Sequence, residues 1–133
     1  MNSRLLPALF AIPFAFAATT HAADPATKPL KVLLISGGCC HDYAKQKEIL
    51  KAGLEARANV MVDQIYTADK GTAPTLPMMY GNPNYAKGYD VIIHDECTAG
   101  ISDEETVKGV LKPHREDGIP GVNLHCDALL PHR

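Results

Sequence analysis

Residues 30–43 constrain the fold more than any other part of this sequence. They begin with a continuous apolar run, 32–35, which is typical of a parallel strand buried on both faces. The run stops at Gly37 and Gly38, and a helical pattern begins a few residues later. A strand, a tight turn and a helix in this order predict the first unit of a parallel α/β sheet.

The rest of the chain repeats this alternation. Strands are predicted at residues 30–35, 59–66, 89–94 and 120–124, and helices at 42–58 and from Ser102 onward. Because crossovers between parallel strands are right-handed, we expect the strand order 2-1-3-4 with a helix on each face. Residues 67–88 contain three prolines and predict an irregular connection in place of a helix. The side chains expected to cover the sheet from this connection are Leu76, Met78, Met79 and Tyr80.

Capping residues and apolar stripes define the two predicted helices. Asp42 is the expected N-cap of the first helix, and Ser102 with Glu105 fits a capping box at the start of the second. Apolar positions at helical spacing predict the faces that pack against the sheet. These positions are Ile49, Leu50, Gly53 and Leu54 in the first helix, and Val107, Val110, Leu111 and His114 in the second.

The first 22 residues have the pattern of a secretory signal. Arg4 precedes an apolar stretch, 5–18, and small residues lead to a cleavage site before Ala23. We therefore predict a signal peptide at 1–22, a linker at 23–29 and one domain at 30–133. The expected location is the periplasm or the extracellular space, with no membrane span after signal cleavage.

Charge and cysteine content limit the partners. The formal net charge is −2 and no basic patch alternates with aromatic residues, which argues against a nucleic-acid partner. The cysteines allow three complete disulfide pairings, and the sequence does not choose among them. They are Cys39, Cys40, Cys97 and Cys126. The oligomeric state also stays open, and a homo-oligomer is one alternative.

Reactive side chains follow three of the predicted strands. Because the carboxyl ends of parallel strands lie at one edge of the sheet, these side chains predict a ligand site at that edge. The residues are Cys39, Cys40, His41 and Asp42 after the first strand, His94, Asp95, Glu96 and Cys97 after the third, and His125 and Cys126 after the fourth.

A divalent metal is the first candidate for what binds there. Its candidate ligands are His41, His94 and His125, because imidazole binds zinc, iron or manganese. The spacing matches no standard metal motif. The alternative is that His94 and His125 are buried histidines that only make hydrogen bonds.

Thiol chemistry and anion binding are the other candidates. Cys39 and Cys40 precede a predicted helix N-terminus, which favours the thiolate form, but a buried free thiol or a disulfide explains them too. Gly37 and Gly38 could turn backbone N–H groups toward an anion, and a tight turn explains them equally well. The dinucleotide-binding and P-loop patterns are absent.

Three segments resemble the ThuA-like (trehalose-utilisation) family: KVLLISGGCCHDY, YDVIIHDECTAGIS and GIPGVNLHC. The resemblance covers residues 31–126. It implies a flavodoxin-like α/β fold, similar to the class I glutamine amidotransferases. It also implies a role in the bacterial use of trehalose-like disaccharides or their keto derivatives, with a small carbohydrate as ligand.

The resemblance and the clustering together suggest roles for the residues at this edge. One set of residues is assigned acid–base or metal-binding roles. Gly37, Gly38 and Asp95 are assigned contacts to the sugar-type ligand. The first set consists of His41, Asp42, His94, Glu96 and His125. The alternatives are a non-catalytic sugar- or metal-binding module, a thiol redox protein and an inactive truncated fragment.

The last residues depart from the family pattern. Relatives continue after the His-Cys pair with a segment similar to AMHSYR, whereas this chain reads DALLPHR. We therefore expect a frameshift just after Cys126 and a domain that is truncated at its C-terminus. The family's later His-Glu partners would then be missing, so the resemblance does not imply glutaminase activity.

Overall fold

The computed structural model describes residues 27–124. Within them the strands form one parallel sheet in the order β2-β1-β3-β4, which confirms the predicted α/β class and strand order. The elements are β1 Leu30–Gly38, α1 Tyr43–Glu55, β2 Val60–Tyr66, β3 Val91–Cys97, α2 Glu104–Arg115 and β4 Gly121–Asn123. The predicted signal peptide, His125 and Cys126 lie outside the described residues. No helix in this part of the chain is long and apolar enough to span a membrane.

Two strands extend three residues further than predicted. β1 continues through Gly38 and β3 through Cys97, because these two residues pair with each other in the parallel register. The backbones approach so closely that a Cβ on Gly38 would lie 2.0 Å from the Cys97 carbonyl oxygen. Asp95 and Glu96 therefore belong to the strand itself, and the expectation that they follow it is wrong.

A helix lies on each face of the sheet, as predicted. On one face α1 packs against a buried cluster of aliphatic side chains, and on the other face α2 and the 67–90 connection cover a second cluster. The α1-face cluster contains Val32, Leu34, Val62 and Ile93, contacted by Leu50 and Leu54. The α2-face cluster contains Leu33, Ile35, Leu76, Met79, Ile92 and Val110.

The long connection covers the sheet largely as expected. Leu76 and Met79 are buried in the core, and Tyr80 packs against it. The Tyr85 hydroxyl donates a 2.8 Å hydrogen bond to the Val110 carbonyl and so ties the connection to α2. Met78 is 64% exposed, so its predicted place in the cover is wrong.

The face of the sheet that carries α1 is only partly covered. Ile49 is 61% exposed, because α1 presents a narrow stripe of Leu50 and Leu54 to the sheet, and Ile49 lies beside that stripe. Val122 shares the α1 face with Ile93, its register partner, and is 44% exposed. Within residues 27–124, α1 thus covers β1 and β2, Ile93 of β3 is buried beside them, and Val122 of β4 stays exposed.

The N-cap of α2 is Asp103, and the predicted capping box at Ser102 is wrong. The Thr106 backbone N–H donates to the Asp103 carboxylate at 2.9 Å, and the Thr106 hydroxyl donates at 2.8 Å. These bonds, the backbone one first, lower the pKa of Asp103 below its ordinary value of 3.8.

We expect Asp103→Ala to lower the thermal midpoint at pH 7 and Ser102→Ala to leave it nearly unchanged. Since folding lowers the pKa of Asp103, its contribution is present above pH 3.8 and is lost as the pH falls through the lowered value. The difference in midpoint between the native chain and Asp103→Ala should therefore shrink in acid. Thermal denaturation at pH 7 and in a series of acidic buffers measures this, and a larger effect of Ser102→Ala would contradict the assignment.

Candidate functional site

The predicted edge residues divide into two groups because side chains alternate along β3. His94 and Glu96 face α2, where His94 contacts His114. Asp95 and Cys97 face α1, where Asp95 accepts a hydrogen bond from Gln46. The groups share one edge of the sheet, as predicted, but they lie on opposite faces, which the sequence analysis did not distinguish.

The first group is a chain of hydrogen-bonded side chains, which we call the imidazole–carboxylate chain: Glu96, His94 and His114. Glu96 Oε1 lies 2.8 Å from His94 Nδ1, and His94 Nε2 lies 3.0 Å from His114 Nε2. His114 Nδ1 in turn lies 2.7 Å from the Ile119 carbonyl oxygen. His94 and Glu96 are 4% and 3% exposed, so their contacts form away from solvent.

Each of the three contacts in the imidazole–carboxylate chain needs one proton between its two atoms. The Ile119 carbonyl can only accept, so His114 Nδ1 donates to it. One further proton lies between the two Nε2 atoms and another between His94 and Glu96. Two neutral imidazoles carry only two protons, so the three contacts hold one extra.

Glu96 also has an acceptor that the protein leaves unused. Its Oε2 atom is buried and has no hydrogen-bond partner among the described residues. A buried carboxylate oxygen without a donor is costly, and such atoms commonly mark a place where a ligand or water donates. The neighbouring extra proton gives this position acid–base capacity.

His114 and Gly121 belong to this group, and sequence reasoning missed both as site residues. His114 was assigned only to the apolar stripe of α2, whose spacing does direct it toward the sheet. Gly121 in β4 leaves room for its ring, because a Cβ there would lie 2.8 Å from His114 Cε1. A histidine within an otherwise aliphatic stripe was the one signal that could have revealed the contact.

On the α1 face, Asp95 joins the sheet to the helix. It is fully buried and accepts hydrogen bonds from the Ser36 hydroxyl at 3.2 Å and from Gln46 Nε2 at 2.9 Å. Both carboxylate oxygens are therefore engaged by β1 and α1. This arrangement anchors the start of the helix to the end of the strand.

The second group is the thiol cluster of Cys39, Cys40 and Cys97. Cys39 Sγ lies 2.8 Å from Cys40 Sγ and 3.3 Å from Cys97 Sγ. Hydrogen bonding to Cys40, and then to Cys97, lowers the pKa of the Cys39 thiol. Tyr43, the first residue of α1, packs against the two buried thiols.

Three more of the predicted residues, Gly38, His41 and Asp42, line a small pocket of about 60 Å³ between the carboxyl ends of β1 and β2. His41 is exposed there, with its ring edge-on to Tyr43 at 5.6 Å. Asp42 caps α1 as predicted, since it accepts from the Lys45 backbone N–H. Gly37 and Gly38 allow close backbone approach at positive φ, which accounts for the Gly-Gly pair.

Of the three candidate metal-binding histidines, only His41 and His94 are among the described residues. Within residues 27–124, the group that could hold a metal ion consists of the three cysteines, and neither His41 nor His94 belongs to it. His125, the third candidate, lies outside the described residues. Two larger clefts, of about 330 and 290 Å³, include none of the predicted site residues.

Comparison of the chain with protein-family models, with curated proteins and with solved structures gave no match. The function is therefore argued from the two groups at the edge of the sheet and from the resemblance of the sequence segments. Of the two, the imidazole–carboxylate chain contains His94 and Glu96, two of the five residues to which acid–base roles were assigned. For the cysteines of the thiol cluster, the sequence left several roles open.

Proposed function

We propose that this chain is an exported ThuA-like domain that takes part in the use of a trehalose-like disaccharide or its keto derivative. The flavodoxin-like, class I glutamine amidotransferase-like fold is part of the proposal, supported by the parallel sheet order with a helix on each face. The observation that carries it is the unused Oε2 acceptor of Glu96, which adjoins a hydrogen-bonded pair of histidines.

Glu96 is the residue that would contact the ligand. A sugar presents hydroxyl groups, and one of them would donate to Glu96 Oε2. His94 and His114 are positioning residues, because their ring nitrogens already contact each other, Glu96 and Ile119. Proton transfer from the ligand to Glu96 would be balanced by a shift of the extra proton toward the histidines.

The pocket at His41 and Asp42 is the proposed second point of contact. Its volume of about 60 Å³ is well below the roughly 300 Å³ at which pockets for whole small molecules begin. It would therefore take one substituent of a sugar, while the rest of the ligand lies across the open edge of the sheet. His125 keeps its proposed acid–base role at the same edge.

A non-catalytic sugar-binding module is the second candidate. The contacts of His94 favour it, since both ring nitrogens are already engaged, by Glu96 and by His114. In this case Glu96 would hold a sugar hydroxyl without turnover. The two candidates share the binding site and differ only in whether the ligand is changed.

Calorimetric titration of the full chain with trehalose and its keto derivative tests the site. Loss of a hydrogen bond to a charged group costs about 1.5–3 kcal/mol, so Glu96→Gln should weaken binding by roughly tenfold to a hundredfold. Glu105→Gln, an exposed residue in the first turn of α2, is the matched control and should bind like the native chain.

Chromatography of the sugar after incubation then separates an enzyme from a binding module. Lack of binding to both sugars by the native chain, or equal binding by native chain and Glu96→Gln, would reject the proposed site. Circular dichroism of each variant shows whether a loss of binding reflects a loss of fold.

A further inference from the structure

The thiol cluster brings three sulfur atoms together from two separate segments. Cys39 and Cys40 follow β1, whereas Cys97 ends β3, 57 residues after Cys40 in the chain. Their Sγ atoms all lie within 4.8 Å of one another. Two of the residues are buried and Cys40 is exposed, so the cluster is open to solvent on one side.

The backbone is shaped so that the sulfurs meet. Gly38 pairs with Cys97 at a distance that only a glycine permits, which places the end of β1 directly beside the end of β3. Cys40 then adopts a φ of +81°, a left-handed conformation that a non-glycine residue rarely takes. This conformation costs free energy, and it accompanies the 2.8 Å approach of the Cys40 sulfur to Cys39.

The chemistry of the cluster suits a soft metal ion. Thiolate sulfur is the ligand preferred by Zn²⁺ and Cu⁺, whereas Mg²⁺ and Ca²⁺ prefer oxygen. Asp95, the nearest acidic residue on the same face of β3 as Cys97, is engaged by Ser36 and Gln46, so sulfur dominates the donor set.

We propose that Cys39, Cys40 and Cys97 form a three-sulfur site for a thiophilic d¹⁰ metal ion, Zn²⁺ or Cu⁺. Zinc–sulfur bonds of about 2.3 Å place tetrahedral sulfurs about 3.8 Å apart. The sulfurs at 2.8 and 3.3 Å would separate by about 0.5 to 1 Å on metal binding, chiefly through rotation of the exposed Cys40 side chain.

The two ions would complete this site differently. Zn²⁺ would take a water as its fourth ligand on the open side next to Cys40, whereas Cu⁺ needs only the three sulfurs. In either case the thiols lose their protons to solvent as the metal bonds form. The site lies on the α1 face of β3, opposite the proposed sugar contact at Glu96.

The experiment is a metal titration of the full chain, reduced and kept free of oxygen. Zn²⁺ and Cu⁺ are each added in competition with a coloured chelator of known affinity. We expect one equivalent of at least one ion to bind, and each Cys→Ser substitution at positions 39, 40 and 97 to weaken binding at least tenfold. Lys45→Ala, which changes an exposed side chain of α1, is the control and should bind normally, and His41→Ala tests whether the nearby imidazole is a ligand instead.

Two further measurements test whether the cysteine side chains themselves bind the metal. Cys40→Ser changes an exposed side chain, so its effect on binding cannot be ascribed to a failure to fold. Cobalt added in place of zinc should produce a thiolate-to-cobalt charge-transfer band that is lost in the same variants. Failure of both Zn²⁺ and Cu⁺ to bind, binding that survives Cys39→Ser and Cys97→Ser, or binding that depends on His41 instead would overturn the proposal.

Discussion

Gly38→Ala is expected to destabilise the protein by about 2–6 kcal/mol, the sum of backbone strain and overpacking. The new Cβ would lie 2.0 Å from the Cys97 carbonyl oxygen and 2.9 Å from its carbonyl carbon. These are backbone atoms within the sheet, so no side-chain rotation relieves the contact. Gly38 also has a φ of +94°, which an alanine adopts only at a cost.

Gly81→Ala is the matched control for this prediction. Gly81 has a similar φ of +75°, but a Cβ there meets nothing within 4 Å. Its substitution should cost only the left-handed conformation, about 1–2 kcal/mol. Urea denaturation gives both free energies of unfolding, and their difference measures the contact between β1 and β3. Equal losses at the two glycines would mean that the strands are not as tightly paired as described.

Glu96→Ala should cost about 3–5 kcal/mol, the usual loss when one partner of a buried charged pair is removed. Without the carboxylate, His94 Nδ1 loses its 2.8 Å partner. The extra proton of the imidazole–carboxylate chain also loses its counter-charge. Both residues are buried, so solvent replaces little of what is lost. Urea denaturation at neutral pH measures the effect.

A double-mutant cycle with His94→Leu and Glu96→Leu tests whether the two residues act as a pair. We expect the double variant to be less destabilised than the sum of the single variants, because it removes both partners of the His94–Glu96 contact and leaves only His114 Nε2 without its contact. Glu105→Ala, on the exposed surface of α2, should change stability by no more than about 0.5 kcal/mol. A Glu96→Ala variant as stable as this control would contradict the imidazole–carboxylate chain.

These variants also distinguish the fold from the function. Gly38 shapes the end of β1, where the thiol cluster begins, whereas Glu96 faces the opposite side of β3. A sugar-binding defect confined to Glu96 variants and a metal-binding defect confined to cysteine variants would show two independent sites at one edge. A single set of residues required for both ligands would show one shared site.

The apolar runs were sufficient to predict the architecture. Each buried strand is a short aliphatic stretch, and right-handed crossovers leave few ways to order four parallel strands. The N-cap of α2 was harder to predict from the sequence, because Ser102 and Asp103 are adjacent and both are good N-cap residues. Only the path of the backbone decided that Thr106 donates to Asp103.

The sequence by itself determined that reactive side chains would lie at the carboxyl edge of a parallel sheet. Only the tertiary structure decided how they group, because grouping depends on how far β3 extends. That extent is set by the pairing of Gly38 with Cys97, a contact between segments far apart in the chain. Once β3 includes residues 95–97, the alternation of its side chains sends Glu96 to His94 and His114, and Cys97 to the other two thiols.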